Sequence, residues 1–383
     1  MVNFELTPEQ EMLKKTIRDF AEREIKPVRQ KLDEKEEFSE ELTKKMGQLG
    51  LFGMQVDPKY GGQGLDTLSY CIAVEEIARV DGCQAATVAA ENALGITPIY
   101  RWGTEAQKQM YLPMLCSGQH LWGFGLTEAE AGSDAGNTKT RAVLQDGKWK
   151  INGSKIFITN TATPMCAGVT VQAVTGEKGE GKKEISCIIV PTGTPGFTSR
   201  QMHHKLTWRS SVTGELYFED VIVPEENLLG KRGEGFHMML ATLDSGRLGI
   251  AAMAVGGAQG AFEAALDYAK VRKTFGKPIS KHQAIAFKLA DMAVEIEAAR
   301  NLLYKGCWLK DTGKPFAQHA AMAKLYASEV MRRVTHEAIQ VFGGYGLMEE
   351  YPVAKFFRDQ RLLEIGEGSS EVQRIVISRY LGC

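Results

Sequence analysis

Glu367 is the residue whose type and surroundings best suit acid–base chemistry, because it stands between two glycines in the segment 365–369 (IGEGS). Flanking glycines let another molecule reach the backbone, and Glu367 has no evident helical cation partner. An acidic residue just before a helix can instead serve only to stabilise the helix dipole, by about 0.3–1 kcal/mol. Taken alone, the general base and the helix terminus are equally good interpretations.

Four further loops combine glycine with hydroxyl, amide or basic groups. They are 123–134 (GFGLTEAEAGSD), 157–160 (FITN), 272–278 (RKTFGKP) and 340–346 (QVFGGYG). Glycine allows backbone amides to approach a flat polar ligand, and the hydroxyls add donors. Each loop alone is more often a plain connection or, for the Gly-Gly pair, a helix C-cap. No single loop therefore identifies a site.

Other familiar catalytic and metal-binding motifs are absent from the sequence. The segment 176–183 (GEKGEGKK) resembles a P-loop, but Lys183 replaces the required hydroxyl and a strand follows where a helix is needed. It is interpreted as a hairpin loop. There is no G-x-G-x-x-G, G-x-S-x-G or H-E-x-x-H, and the adjacent His203 and His204 would point to opposite faces of a strand. We expect no metal site.

Composition narrows the class of protein. The 383 residues exceed the usual size of one hydrophobic core, which predicts two or three sub-domains. A net charge of −1 provides no field to gather nucleic acid. The longest uncharged apolar run, 248–262, is shorter than the about 20 residues that span a bilayer, and the N-terminus lacks a signal-peptide pattern. Seven cysteines without a C-x-x-C pair predict reduced thiols and a cytoplasmic location.

The hydrophobic period divides the chain into helical, β and helical thirds. Capping boxes begin helices at Thr7 and Thr104, and Asp146-Gly147 and Asn152-Gly153 predict hairpin turns in an antiparallel middle third. Apolar residues at helical spacing predict the core-facing side of a long C-terminal helix. They are Leu289, Met292, Ile296, Ala299 and Leu303. Ser370 to Gln373 predicts the cap of the last helix.

The glycine-rich loops, together with the segments KINGSKIFITN, LDSGRLGIAA and EGSSEVQ, resemble the FAD-dependent acyl-CoA dehydrogenases in order and spacing over nearly the whole chain. The resemblance implies an α+β fold with an N-terminal helical domain (1–120), a middle antiparallel β-barrel or sandwich domain (121–230) and a C-terminal four-helix bundle (231–383). It also implies a homotetramer, or sometimes a dimer, and an electron-transferring flavoprotein as the electron acceptor.

The resemblance also assigns site residues. Glu367 would be the catalytic base, since Gly246 occupies the other position at which family members carry one. The implied FAD-binding residues are Phe124, Gly125, Leu126, Thr127, Phe157, Ile158, Thr159, Arg272, Phe275, Gln283, Gln340, Val341, Gly343, Gly344, Ser369, Ser370 and Glu371. The implied substrate-binding residues are Ser133, Asp244, Arg247, Gly366, Gly368 and Glu91.

The reaction implied is α,β-dehydrogenation of an acyl-CoA to a 2-enoyl-CoA. Glu367 would remove the α-proton while the thioester carbonyl receives two hydrogen bonds, one of them from the backbone N–H of Glu367. A flavin enoyl-CoA reductase running the reverse reaction is the first alternative. A non-catalytic acyl-CoA-binding scaffold is a distant one, because it would need no base.

The acyl group is predicted from Gly366, where most straight-chain members have tyrosine. Loss of a phenol ring would open on the order of 100 Å³, and unfilled apolar space costs roughly 24 cal/mol per Å³. A branched, cyclic or aryl group is therefore predicted. Glu91 is either a solvated or capped helix residue, or the polar end of the pocket, or even a second base. Its charge, with Ala85 where a cation would be needed, disfavours a dicarboxylyl-CoA.

Overall fold

The N-terminal third is helical. The computed structural model of the protein describes residues 5–179 and 181–383. Its helices are α1 (Pro8–Phe20), α2 (Arg29–Lys35), α3 (Glu40–Gln48), α4 (Thr67–Ala78), α5 (Gly82–Ala90), α6 (Thr97–Trp102) and α7 (Glu105–Cys116). Both predicted capping boxes are present, at Thr7 and at Thr104. A π-helical turn, Glu91–Ile96, joins α5 to α6. α4 is buried on nearly every side and packs against the C-terminal helices.

A sheet forms the middle third. Its strands are β1 (Leu121–Gly125), β2 (Arg141–Gln145), β3 (Lys148–Thr159), β4 (Cys166–Lys178), β5 (Lys182–Pro191), β6 (Phe197–Gln201), β7 (Thr213–Pro224) and β8 (Leu228–Leu229). The order is β6-β7-β3-β2-β4-β5-β8, and β1 pairs with β4. Both β1 and β2 run parallel to β4, so the sheet is mixed rather than purely antiparallel as predicted.

One of the two predicted hairpin turns in this sheet is wrong. Asp146 and Gly147 both have positive φ and connect β2 to β3 as expected. Asn152-Gly153 instead lies within β3, where the pairing with β7 shifts register and forms a bulge. A Cβ on Gly153 would lie 2.6 Å from the Thr140 hydroxyl, so the glycine serves a close approach of two segments and not a turn.

Long helices make up the C-terminal third. They are α8 (Gly235–Val271), α9 (Gln283–Asp311), α10 (Ala317–Phe342), α11 (Pro352–Leu363) and α12 (Ser370–Leu381), with a short hairpin of β9 (Lys273–Thr274) and β10 (Lys277–Pro278) after α8. The described C-terminal third therefore contains five helices, α8 to α12. The predicted stripe of α9 is buried. The last helix is capped by Ser369 and not by Ser370, because the Ser369 hydroxyl accepts from Val372 N–H.

α8 is the central helix of this arrangement, since it contacts α4, α9, α10 and α11. By length and composition alone it could cross a membrane, but 78% of its most apolar stretch is buried inside the fold. That burial is typical of the core helix of a globular domain. The seven cysteines are free thiols, of which only Cys383 is exposed, as the absence of paired spacings predicted.

Candidate active site

Glu367 lies in the loop between α11 and α12, facing the middle of α8. Its φ is +53° and that of Gly368 is +92°, so two successive residues adopt left-handed backbone conformations. The carboxylate points at Gly246, where a Cβ would stand 2.0 Å from Glu367 Oε2. The two positions that the resemblance singled out for a base therefore face each other, and only one of them carries a carboxylate.

The charge state of Glu367 is set by burial and by two cations. Its Oε2 is inaccessible to solvent and has no hydrogen-bond partner among the described residues. Burial raises the pKa of Glu367 to about 7, although Lys324 and Arg247 both act to lower it. A carboxyl group with this pKa is divided between its acid and base forms near neutral pH, which suits a general base.

The residues predicted for substrate binding occupy different places around this loop. Arg247 is buried on α8 and pairs with Asp244 at 2.5 Å, while its Nε has no partner within the described chain. Burial raises the pKa of Asp244 against the effect of Arg247. Ser133 is exposed, in the loop between β1 and β2. Gly366 does not border an opening on its missing side chain, since a Cβ there would lie 3.0 Å from Leu362 Cδ2.

The two loops predicted to line a flavin ring meet at the end of the sheet. The segment 124–127 ends β1, the segment 157–159 ends β3, and Ile156 N–H donates to Thr127 O at 3.0 Å. Phe157 has a φ of +61° and is 61% exposed. A positive φ is unfavourable for a residue with a side chain, yet Phe157 adopts it and its ring is exposed. The exposed ring provides an apolar surface that a planar ligand could cover.

A buried ion pair beneath these loops was missed by the sequence reasoning. Lys155 is 1% exposed, and its Nζ donates to Glu128 Oε1 at 2.7 Å and to Leu126 O at 3.0 Å. Glu128 also accepts from the N–H groups of Lys139 and Thr140. Burial lowers the pKa of Lys155 to about 8. Lys155, the Thr138 hydroxyl and the Lys139 N–H outweigh the effect of burial on Glu128 and lower its pKa to about 2. The pair therefore stays ionised at neutral pH and fixes the backbone after β1.

The remaining predicted cofactor residues lie in two groups. A cleft of about 790 Å³ is lined by Arg272, Phe275, Val341, Gly343 and Gly344, among others. Phe275 is 95% exposed, and a Cβ on Gly343 or Gly344 would meet nothing within 4 Å. Gln283 and Gln340 are exposed at helix ends near this cleft. Glu367 is not among the residues that line it.

The second group follows Glu367 directly. Ser369 caps α12, Ser370 is buried with a hydroxyl that has no partner among the described residues, and Glu371 is exposed. Gln373, which the sequence reasoning did not select, is completely buried and donates through Nε2 to Gly368 O at 2.8 Å and to Glu367 O at 3.3 Å.

Glu91 is fully buried, so the prediction of a solvated helix residue is wrong. It starts the π-helical turn after α5, and its Oε2 accepts from Trp122 N–H at 2.9 Å and from Asn160 Nδ2 at 3.3 Å. Its Oε1 has no partner in the part of the chain that is described. Burial raises the pKa of Glu91 to about 8, so the group is largely protonated at neutral pH.

These features fit the cofactor that the sequence implied. Exposed aromatic rings at Phe157 and Phe275 suit the flat faces of FAD, and the cation of Arg272 with the open backbone at Gly343 suits its phosphates. The buried polar atoms Ser370 Oγ and Arg247 Nε need a hydrogen-bond partner that the described residues do not supply. In the described chain, Asp33, Cys83 and Asp359 have ligand atoms close enough together to hold a metal, and the Lys355 ammonium group already contacts all three.

Family models cover almost the entire chain. Residues 7–119, 123–221 and 233–382 match the N-terminal, middle and C-terminal domains of acyl-CoA dehydrogenase. A probable acyl-CoA dehydrogenase of Bacillus subtilis is 51% identical over 99% of this chain and 100% of its own length. An acryloyl-CoA reductase (NADH) of Anaerotignum propionicum is 44% identical over 99% of this chain and 95% of its own length.

Solved structures show the same architecture. The butyryl-CoA dehydrogenase of Megasphaera elsdenii superposes with a TM-score of 0.96 at 45% identity, over 100% of both chains. A chain from a structural study of the electron-transferring flavoprotein of Acidaminococcus fermentans superposes with a TM-score of 0.96 at 46% identity, over 99% of both chains. The fold and site thus define a flavin-dependent oxidoreductase of acyl thioesters. The chain belongs to the acyl-CoA dehydrogenase family, whose members depend on FAD.

Proposed function

We propose that this protein removes the α-proton and β-hydrogen of a short acyl-CoA, with Glu367 as the base. The observation that carries the proposal is the buried Oε2 of Glu367, which has no hydrogen-bond partner among the described residues and faces a bare helix position at Gly246. A buried carboxylate oxygen without a partner is costly, so its presence calls for a reacting group that completes it.

The protein would contribute acid–base chemistry and alignment. Glu367 takes the α-proton onto its carboxylate, and the backbone N–H of the same residue donates to the thioester carbonyl as enolate charge develops. Ser133, Asp244 and Arg247 contact the CoA thioester, and Gly366, Gly368 and Glu91 form walls of the acyl site. Asp244 would also orient Arg247 through their ion pair.

Bound FAD would supply the redox step, by accepting the β-hydrogen with its electron pair. Around the flavin ring we place 124–127, 157–159 and 369–371. The cleft of Arg272, Phe275 and Gly343, with Val341, Gly344, Gln283 and Gln340, would hold the pyrophosphate and adenosine end, partly for a neighbouring subunit. The absence of Glu367 from the lining of the cleft supports this division.

The proposed acyl group is short, in contrast to the bulky group predicted from the sequence. The void expected from Gly366 has no support, because Leu362 occupies the direction of the missing side chain. Three residues along α8 from Gly246, a Cβ on Gly249 would stand 2.4 Å from the Tyr70 hydroxyl. Three helical residues rise by about 4.5 Å, so Tyr70 would close the site a few carbons beyond the reacting bond.

The proposal includes partners of stated chemistry. An electron-transferring flavoprotein would reoxidise the flavin, as the Acidaminococcus fermentans relative suggests, and subunits would associate so that the cleft at Arg272 meets a neighbouring active site. A cytoplasmic location would suit the free thiols.

A second candidate is the reverse reaction, reduction of a 2-enoyl-CoA. It is favoured by the 44% identity to an acryloyl-CoA reductase. The same residues serve both directions, since Glu367 would then return a proton to the α-carbon. A non-catalytic scaffold is disfavoured by the same unpartnered carboxylate.

The test is an anaerobic panel of thioesters mixed with the FAD-loaded protein, in which flavin bleaching measures dehydrogenation. We expect butyryl-CoA to bleach the flavin with a higher kcat/KM than isobutyryl-, cyclohexanecarboxyl- or 3-phenylpropionyl-CoA. A clear preference for a bulky group would contradict closure by Tyr70. Failure of every saturated thioester, with reoxidation of reduced flavin by crotonyl-CoA, would establish the reductive direction.

A further inference from the structure

Lys324 is a buried lysine whose ammonium group reaches the active-site loop. It lies on α10 at 0% exposure, and its Nζ donates to Gly368 O at 2.7 Å. Among the described residues it forms no salt bridge within 4 Å. Burying an ammonium group without a paired carboxylate is costly, and an apolar residue would satisfy packing better. The position therefore calls for a role that needs the charge or the donor.

The loop that Lys324 contacts requires support. Glu367 has left-handed backbone geometry, which is strained for a residue with a side chain and persists only where the surroundings enforce it. The Gly368 carbonyl accepts from both Lys324 and Gln373, and Gln373 also reaches the Glu367 carbonyl. These two completely buried side chains hold the peptides on the C-terminal side of the base.

The charges around Glu367 identify Lys324 as a cation that is not already neutralised. Glu367 faces Lys324 from α10, Arg247 from α8 and the Tyr70 hydroxyl from α4. Arg247 is engaged by Asp244 at 2.5 Å, whereas Lys324 donates to a carbonyl and forms no ion pair within 4 Å among the described residues. Burial lowers the pKa of Lys324 to about 8 against the effects of Glu367, Glu364 and Glu371, while Arg247 lowers it further. The group is therefore mostly charged at neutral pH.

We propose that Lys324 is the positioning residue for the base, because it holds the Glu367–Gly368 backbone through the Gly368 carbonyl and its charge favours the ionised form of the Glu367 carboxylate. Gln373 supplies a second, uncharged donor to the same Gly368 carbonyl. This inference rests on the proposed role of Glu367 as the base. It adds that the reaction depends on a side chain that acts through the base and its loop.

The experiment compares pH profiles of kcat/KM for butyryl-CoA in FAD-loaded Lys324→Met and Gln373→Met. Loss of the charge in Lys324→Met should raise the pKa of Glu367 and so move the acidic limb of the profile to higher pH, by about one pH unit or more. Gln373→Met should lower kcat without moving that limb, because it removes only a hydrogen bond. Lys310→Met is the control, since Lys310 is a partly buried lysine whose pKa is also lowered by burial but which contacts Gln55 and Phe316.

If Lys324 had a purely structural role, Lys324→Met would reduce kcat/KM by the same factor at every pH. An acidic limb that does not move in Lys324→Met would therefore overturn the proposal. If Lys324→Met does not yield folded, FAD-loaded protein, Lys324→Gln takes its place, since it keeps a donor but not the charge. The same upward movement is expected there, and its absence would equally overturn the proposal. Failure of the proposed function can be distinguished from failure of this inference. Full activity in Glu367→Gln would show that Glu367 is not the base, whereas an unmoved limb in Lys324→Met would overturn only the role of Lys324.

Discussion

Gly246→Ala should displace the base while leaving the fold intact. The added Cβ would stand 2.0 Å from Glu367 Oε2, and ordinary contact begins at 3.4 Å, so the carboxylate must retreat by about 1.4 Å. The obstructing atom is the end of a flexible side chain, and alanine stabilises a helix interior by about 0.5–1 kcal/mol relative to glycine. A misplacement of about 1 Å at a reacting group costs about 10²-fold in rate.

The assay pairs anaerobic flavin bleaching by butyryl-CoA with thermal unfolding. We expect Gly246→Ala to lose about 10²-fold in bleaching rate with an unchanged or higher Tm. Gly257→Ala is the matched control on the same helix, because its Cβ would displace the flexible end of Met331 and not the base. Its rate should be that of the unmodified protein. A bleaching rate in Gly246→Ala equal to that of Gly257→Ala would refute the placement of Glu367.

Three further predictions follow from the electrostatics and the shape of the site. The kcat/KM should rise about tenfold per pH unit below a pKa near 7 and level off above it, since only the Glu367 carboxylate accepts a proton; a profile that is flat from about pH 6 to 8 would contradict this. Lys155→Met should destabilise the protein by about 3–5 kcal/mol in urea unfolding and weaken FAD binding, because Glu128 is left buried and unpaired, and an unchanged midpoint would contradict this. Tyr70→Ala should shift the substrate preference from butyryl- to hexanoyl-CoA in the thioester panel, and an unchanged ratio would exclude Tyr70 as the end of the site.

The sequence predicted the parts of the fold that depend on local signals. The capping boxes at Thr7 and Thr104 and the hairpin at Asp146-Gly147 each rely on neighbours within a few residues, and all three form. Asn152-Gly153 carries the same local signal as a hairpin turn, but pairing with β7 decides its conformation. Such long-range pairing leaves no mark in the dipeptide itself.

The base could be identified from the sequence because its glycine-flanked segment is unusual. The residues that support the site could not be identified in this way. Lys324 and Lys155 resemble surface lysines when taken singly. A signal for Lys324 does exist, since it interrupts a stripe of small and apolar residues at helical spacing, formed by Ala320, Ala327, Met331 and Val334. Gly366 misled the prediction of the acyl group, because the loss of a side chain opens space only where no neighbour, here Leu362, fills it.

The most direct test of the account is anaerobic mixing of butyryl-CoA with FAD-loaded Glu367→Gln. The amide keeps the size and contacts of the carboxylate but accepts no proton, so flavin bleaching should slow by about 10²–10⁴-fold while FAD and acyl-CoA remain bound. Retained binding, followed by the absorbance change on adding the thioester, separates lost chemistry from lost structure. Bleaching within about tenfold of the unmodified protein would contradict the account and place the base elsewhere.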